Sequence, residues 1–156
     1  MTRLSRRRSA GQALAEVALV APLFFLMVFG IIDLGRVVWA NDVAANAARE
    51  GARYASVHAG AFDPAELATK DDIRAHAMQY VIAGGVNVAV TVCFSGVHIA
   101  SYQQGCTGDV DEPDTGYARG NLVSVTVTAN VPTLLGSVFG NGQWTVLGES
   151  TVLINN

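Results

Sequence analysis

From Ala13 to Ile32 the chain is almost uniformly apolar and Glu16 is its only charge. The run matches the roughly 20 residues that an α-helix needs to cross a bilayer. Helical periodicity then continues in a different form. Beyond Trp39, Ala40, Ala44, Ala48 and Ala52 recur at every fourth position, Ala47, Gly51 and Ala55 form a parallel row, and Arg49, Glu50 and Arg53 take the other faces. Small residues at this spacing allow close approach of another element. That element is the chain's own domain or a neighbouring helix, and both can hold along different parts of the stripe. At about 1.5 Å per residue, one helix from Ala13 to Ser56 would be roughly 65 Å long. His58-Ala59-Gly60 supplies a glycine stop.

A second helix is expected from Asp63 as cap, with Pro64 at the first helical position and Glu66 in the first turn, to about Ala83 ahead of Gly84-Gly85. Its buried face would be Ile73, Ala77, Tyr80 and Val81. The period then drops to two. Val86, Val88, Val90, Val92 and Phe94 alternate with smaller or more polar residues, as in a half-buried strand. Val97 to Tyr102 reads as a second strand after a Ser95-Gly96 turn, and Val123, Val125, Val127 and Ala129 as a third that ends at Pro132. A short TLLGSVFG segment precedes the last strand, Gln143 to Ile154, whose alternation is interrupted at Gly148. Helices first and an antiparallel sheet afterwards is an α+β layout. The expected organisation is a basic leader over 1–11, a transmembrane helix over 12–40, a helical extension over 41–58 and an extracytoplasmic α+β domain over 59–156.

Charge orients this arrangement. Arg3, Arg6, Arg7 and Arg8 all precede the span, and basic residues beside a span stay in the cytoplasm, which puts the rest of the chain outside it. Arg36 follows Asp33 by three residues, so the two can pair at the far interface and weaken the opposing signal. The net charge of -3 offers no basic face for nucleic acid. A length of 156 residues suits one anchor and one modest domain. Pro22 removes a helix donor, which a membrane helix tolerates when neighbouring groups satisfy the freed carbonyl. A secretory signal would have a shorter apolar core, and SRRR lacks the rest of a twin-arginine motif.

Glu16 then needs an explanation, because a carboxylate in the hydrocarbon region costs about 2.5–3.5 kcal/mol on insertion scales. Either it reaches water at the cytoplasmic interface or it has a partner. Gly11 lies five residues before it, directly after the basic leader. GQALAE followed by a long apolar helix resembles a type IV prepilin processing site. The longer pattern, GQALAEVALVAPLFFLMVFGIIDLGR and then ANAAREGARYA, resembles the TadE-like proteins, pilin-like minor components of tight-adherence (Flp) pilus systems. Val17 departs from the pattern, since related pilins often carry an aromatic after the glutamate. This bears on polymerisation into a major pilus more than on cutting.

The resemblance implies that a prepilin peptidase cuts between Gly11 and Gln12, where a Cβ at Gly11 would intrude on the enzyme. The new α-amino group has an ordinary pKa of about 7.7–8.0. Charged at neutral pH, it would pair with Glu16 of a neighbouring subunit and set the stagger between helices, a role in register more than in stability. The implied partners are the membrane, other pilin-like subunits, the pilus assembly machinery and the peptidase.

Cys93 and Cys106 are the only cysteines, and on the extracytoplasmic side such a pair forms a disulfide. By the chain-entropy estimate it stabilises by about 3 kcal/mol at most. No metal or cofactor site is expected, because His58, His76 and His98 have no metal-binding spacing. The loop with Asp109, Asp111, Glu112 and Asp114 is dense in oxygen ligands, yet Pro113 and Gly120 fall where an EF-hand needs ligands, so a solvated acidic loop is the default. Phosphate-loop and nucleophile-elbow motifs are missing. An enzyme would need a cleft built from dispersed residues such as His98 and Asp109. The expectation is therefore an assembly subunit, with a single-pass anchored binding domain that never polymerises as the alternative.

Overall fold

The computed structural model of the chain describes residues 5–59, 68–81, 86–95, 120–140 and 142–155. Helix α1, Ser5–His58, is one element of 54 residues and contains Pro22. From Gly11 to Ile32 most of its residues are exposed. Beyond Asp33 one face is covered. Ala40, Ala44, Ala47, Ala48, Ala52, Ala55 and Ala59 are all buried.

What covers them is a three-stranded antiparallel sheet of β1 (Asn87–Ser95), β2 (Leu122–Pro132) and β3 (Gln143–Leu153), in the order β1-β2-β3. Period-two sequence delivers the inner face directly: Val92, Phe94, Val123, Val125, Val127, Ala129 and Val131 are buried. Their registers align across the sheet, with Val92 opposite Val125, Val90 opposite Val127, and Val127 opposite Gly148. Two of the expected strands, those around Val123 and Gln143, therefore form as read, and the first begins at Asn87. The Val97 to Tyr102 strand lies outside the described residues.

The interruption at Gly148 has a steric cause. A Cβ added there would collide with the backbone carbonyl of Ala44, so β3 touches α1 main chain to main chain at this crossing. A glycine inside a strand often marks such close backbone approach. Gly51 plays the same part on the helix, since an added Cβ would come within 2.9 Å of Ala77 Cβ and 3.1 Å of Val125 Cγ1. Gly148→Ala should overpack this contact and destabilise the domain by about 1–3 kcal/mol. A lowered denaturation midpoint of the detergent-solubilised chain measures this, and an unchanged midpoint would contradict the packing described.

Helix α2 is Lys70–Gln79, shorter than the expected span from Asp63 to Ala83. Its start is set by a capping box. Thr69 Oγ1 accepts the Asp72 N–H at 3.3 Å, while the Asp72 carboxylate accepts the Thr69 N–H at 2.9 Å and the Thr69 hydroxyl at 2.7 Å. Reciprocal bonds of this kind satisfy two donors that a helix start otherwise leaves open. Asp63 and Gly84-Gly85 lie outside the described residues. Of the expected buried face, Ile73 and Ala77 are fully buried, Val81 is half-buried, and Tyr80 is exposed. Tyr80 instead follows a ring ladder in which Tyr54 stacks on His58 and on His76 at centroid distances of 4.3 and 4.4 Å.

The hydroxyl and amide of Thr69 hold the Asp72 carboxyl below its ordinary value of 3.8. A depressed carboxylate contributes stability that is present above the unfolded value and is lost as pH falls through the lower folded value. The melting-temperature difference between the wild type and Asp72→Ala should therefore be constant near neutrality and shrink below pH 3.8. A difference that grows with acidification would refute the cap.

Helix α3, Leu134–Phe139, is the expected TLLGSVFG segment. Thr133 caps it by accepting the Gly136 N–H, and Gly140 ends it at φ 88°, in the left-handed region that glycine occupies without strain.

Candidate anchoring and assembly site

Two stretches of α1 differ in what surrounds them. The N-terminal stretch carries Gly11, Gln12 and Glu16, all exposed, and α1 passes through the expected cut without interruption. Its apolar side chains also face outward, including Leu19, Leu23, Phe24, Phe25 and Met27. Phe24, Phe25 and Phe29 contact one another along the helix surface, with ring centroids 5.8 and 6.1 Å apart. Among the described residues, this is the one helix long and apolar enough to cross a membrane, and its most apolar window is 6 % buried. A helix this greasy and this bare is compatible with single-pass anchoring in lipid.

The boundary between the stretches falls at Gly30 and Asp33. A Cβ on Gly30 would lie 3.8 Å from Leu135 Cδ1, which brings α3 against the helix there. Asp33 is 7 % exposed, and its carboxylate accepts the backbone N–H groups of Leu134 at 2.9 Å and Leu135 at 3.0 Å. These are open donors in the first turn of α3, where a negative charge is favoured. Arg36 Nη1 approaches the same carboxylate at 3.9 Å, so the expected Asp33–Arg36 pair exists but is the weaker of Asp33's engagements. Below this clamp, Ala13 to Ile32 spans about 30 Å at 1.5 Å per residue, the thickness of a bilayer's hydrocarbon core.

The small-residue face lies wholly above the clamp. Ala40, Ala44, Ala48, Ala52 and Gly51 are buried against the sheet and α2 of the same chain. Of the two occupants that the spacing allowed, the chain's own domain takes this face. The segment before Asp33 keeps most of the helix's exposed large apolar side chains, with Leu34, Val38, Trp39 and Val57 beyond it.

The other sequence candidates separate. Cys93 is on β1 opposite Ser124, while Cys106 lies outside the described residues. His98, Asp109, Asp111, Glu112 and Asp114 lie outside them as well. Among the described residues, no group of three or more His, Cys, Asp or Glu could hold a metal ion. His58 and His76 are instead engaged in the ring ladder with Tyr54.

The family profile described as TadE-like protein matches residues 11–53. Over this stretch, just over a quarter of the chain, it is similar to the TadE-like proteins. The match starts at the glycine of the expected cut, runs through the exposed segment and the clamp, and ends within the buried small-residue face. It thus covers most of α1 and none of the sheet. No curated protein and no solved structure matches the chain.

Proposed function

We propose that this chain is a TadE-like, single-pass inner-membrane subunit that takes part in building a tight-adherence pilus through contacts of its exposed helical segment. The observation that carries this is the division of α1. Its small-residue face is buried by its own domain, whereas the segment with Glu16 keeps its apolar surface bare. Among the described residues, the segment before Asp33 is the longest bare apolar stretch, and it is the one offered to helix partners in the membrane. The arginine-rich leader orients the N-terminus to the cytoplasm and the domain outward.

The mechanism follows from charge. Cutting between Gly11 and Gln12 by a prepilin peptidase creates an ammonium group at the level where Glu16 enters the lipid. Pairing across two subunits compensates both charges, and head-to-tail repetition of such contacts yields open helical assemblies. The work is structural and needs no cofactor. Outside the cytoplasm, Cys93 and Cys106 close a disulfide.

Intact-mass measurement of membrane-extracted protein tests these statements together. The expected mass lacks residues 1–11 and, without reductant, is lighter than the reduced form by the two thiol hydrogens. A retained leader would favour an anchored binding domain that does not polymerise.

A further inference from the structure

The chain has only two tryptophans, Trp39 and Trp144. Both are near the clamped end of the domain, and both are substantially exposed, at 45 % and 63 %. Trp144 lies on β3 opposite Val131 and shares a groove with Gly30, Asp33, Leu34, Val37, Thr133 and Leu135. Leu134, the first residue of α3 and the one between Thr133 and Leu135 of that groove, is 45 % exposed. The Arg36 side chain is 37 % exposed at the same height. An apolar cluster this open, next to a cation, is not the expected surface of a domain facing water.

Height along α1 supplies the reason. The apolar segment that fits the hydrocarbon core ends at Ile32, and α3 is bonded to α1 at Asp33, one residue further. The edge of the domain made by Leu134 and Trp144 therefore lies at the level where acyl chains give way to headgroups. Tryptophan collects at this level because its ring is apolar and its N–H is polar. Arginine lays its stem along apolar surface and reaches outward with its charge. Trp39, six residues beyond Asp33, stands about 9 Å higher at 1.5 Å per residue, near the outer edge of the headgroup layer.

We infer that this end of the domain is a lipid-contact surface: Leu134 and Trp144 enter the outer interface of the membrane, and Arg36 meets lipid phosphate. The inference rests on the anchoring reading and adds to it, since the chain then holds the bilayer by its helix and by the underside of its domain. The clamp fixes the two contacts relative to each other, so α1 cannot rotate freely beneath the domain.

The test uses the full chain in phosphatidylcholine–phosphatidylglycerol vesicles. Trp39→Phe leaves Trp144 as the only tryptophan, and a separate chain carries Phe24→Trp with both native tryptophans replaced by phenylalanine. Each is measured with lipids brominated near the headgroup, with lipids brominated near the chain end, and with aqueous acrylamide. Trp144 emission should be lost most with shallow bromine, and that of the Phe24→Trp chain most with deep bromine. If acrylamide quenches Trp144 and neither lipid does, while the Phe24→Trp chain responds to deep bromine, lipid contact is refuted and anchoring stands. Protection of Trp144 from every quencher would mean that protein covers it, which also overturns the inference. If the Phe24→Trp chain responds to neither lipid, anchoring itself falls.

Discussion

Glu16→Gln should leave the protein in the membrane at normal abundance and abolish its co-purification with sister subunits in cells that build the appendage. The change removes a charge and little volume, so insertion becomes easier. On the proposed mechanism, what is lost is the acceptor for a neighbour's ammonium. Leaving one member of a desolvated pair without its mate weakens the contact by about a hundredfold or more. Quantitative pull-down from crosslinked membranes reads this directly. Undiminished recovery of partners would mean that Glu16 simply reaches water, and the assembly mechanism would have to be abandoned.

Asp33→Ala should release α3 from α1. Both the Leu134 and Leu135 N–H groups then lose a charged acceptor, and hydrogen bonds to charged groups are among the stronger ones in proteins. Protection of these two amides against hydrogen exchange should fall by at least about tenfold, while amides in the middle of β2 keep theirs. Unaltered exchange at Leu134 and Leu135 would show that the clamp does not hold this end of the domain.

The parts of this fold governed by local period were readable from residues alone. The alternation from Val86 to Phe94 and from Val123 to Ala129 became β1 and β2, and the apolar run with its alanine rows became α1. The start of α2 was misplaced because Asp63-Pro64 is a strong starting signal, whereas the box of Thr69 and Asp72, equally local, sits six residues later. Asp33 is different in kind. Its partners are more than a hundred residues away, and nothing near it announces that it caps another helix.

The alanine face shows the same limit from another side. Small residues suit close packing against a sheet as well as against a helix, so spacing alone left both occupants open. Gly148 held the missing clue. A glycine interrupting a strand points to a backbone close by, and here that backbone belongs to Ala44. The resemblance to TadE-like proteins is carried by residues of α1, which is also where the family profile matches.

The long reach between α1 and its cover has a consequence for biogenesis. Ala44 and Ala48 leave the ribosome early, yet Val125, Val127 and Gly148, which shield them, are made some eighty to a hundred residues later. Contacts so distant in sequence form slowly, because a large loop must close first. Until those strands are made the alanine rows lack their cover, and the early chain exposes an apolar surface that the folded protein buries.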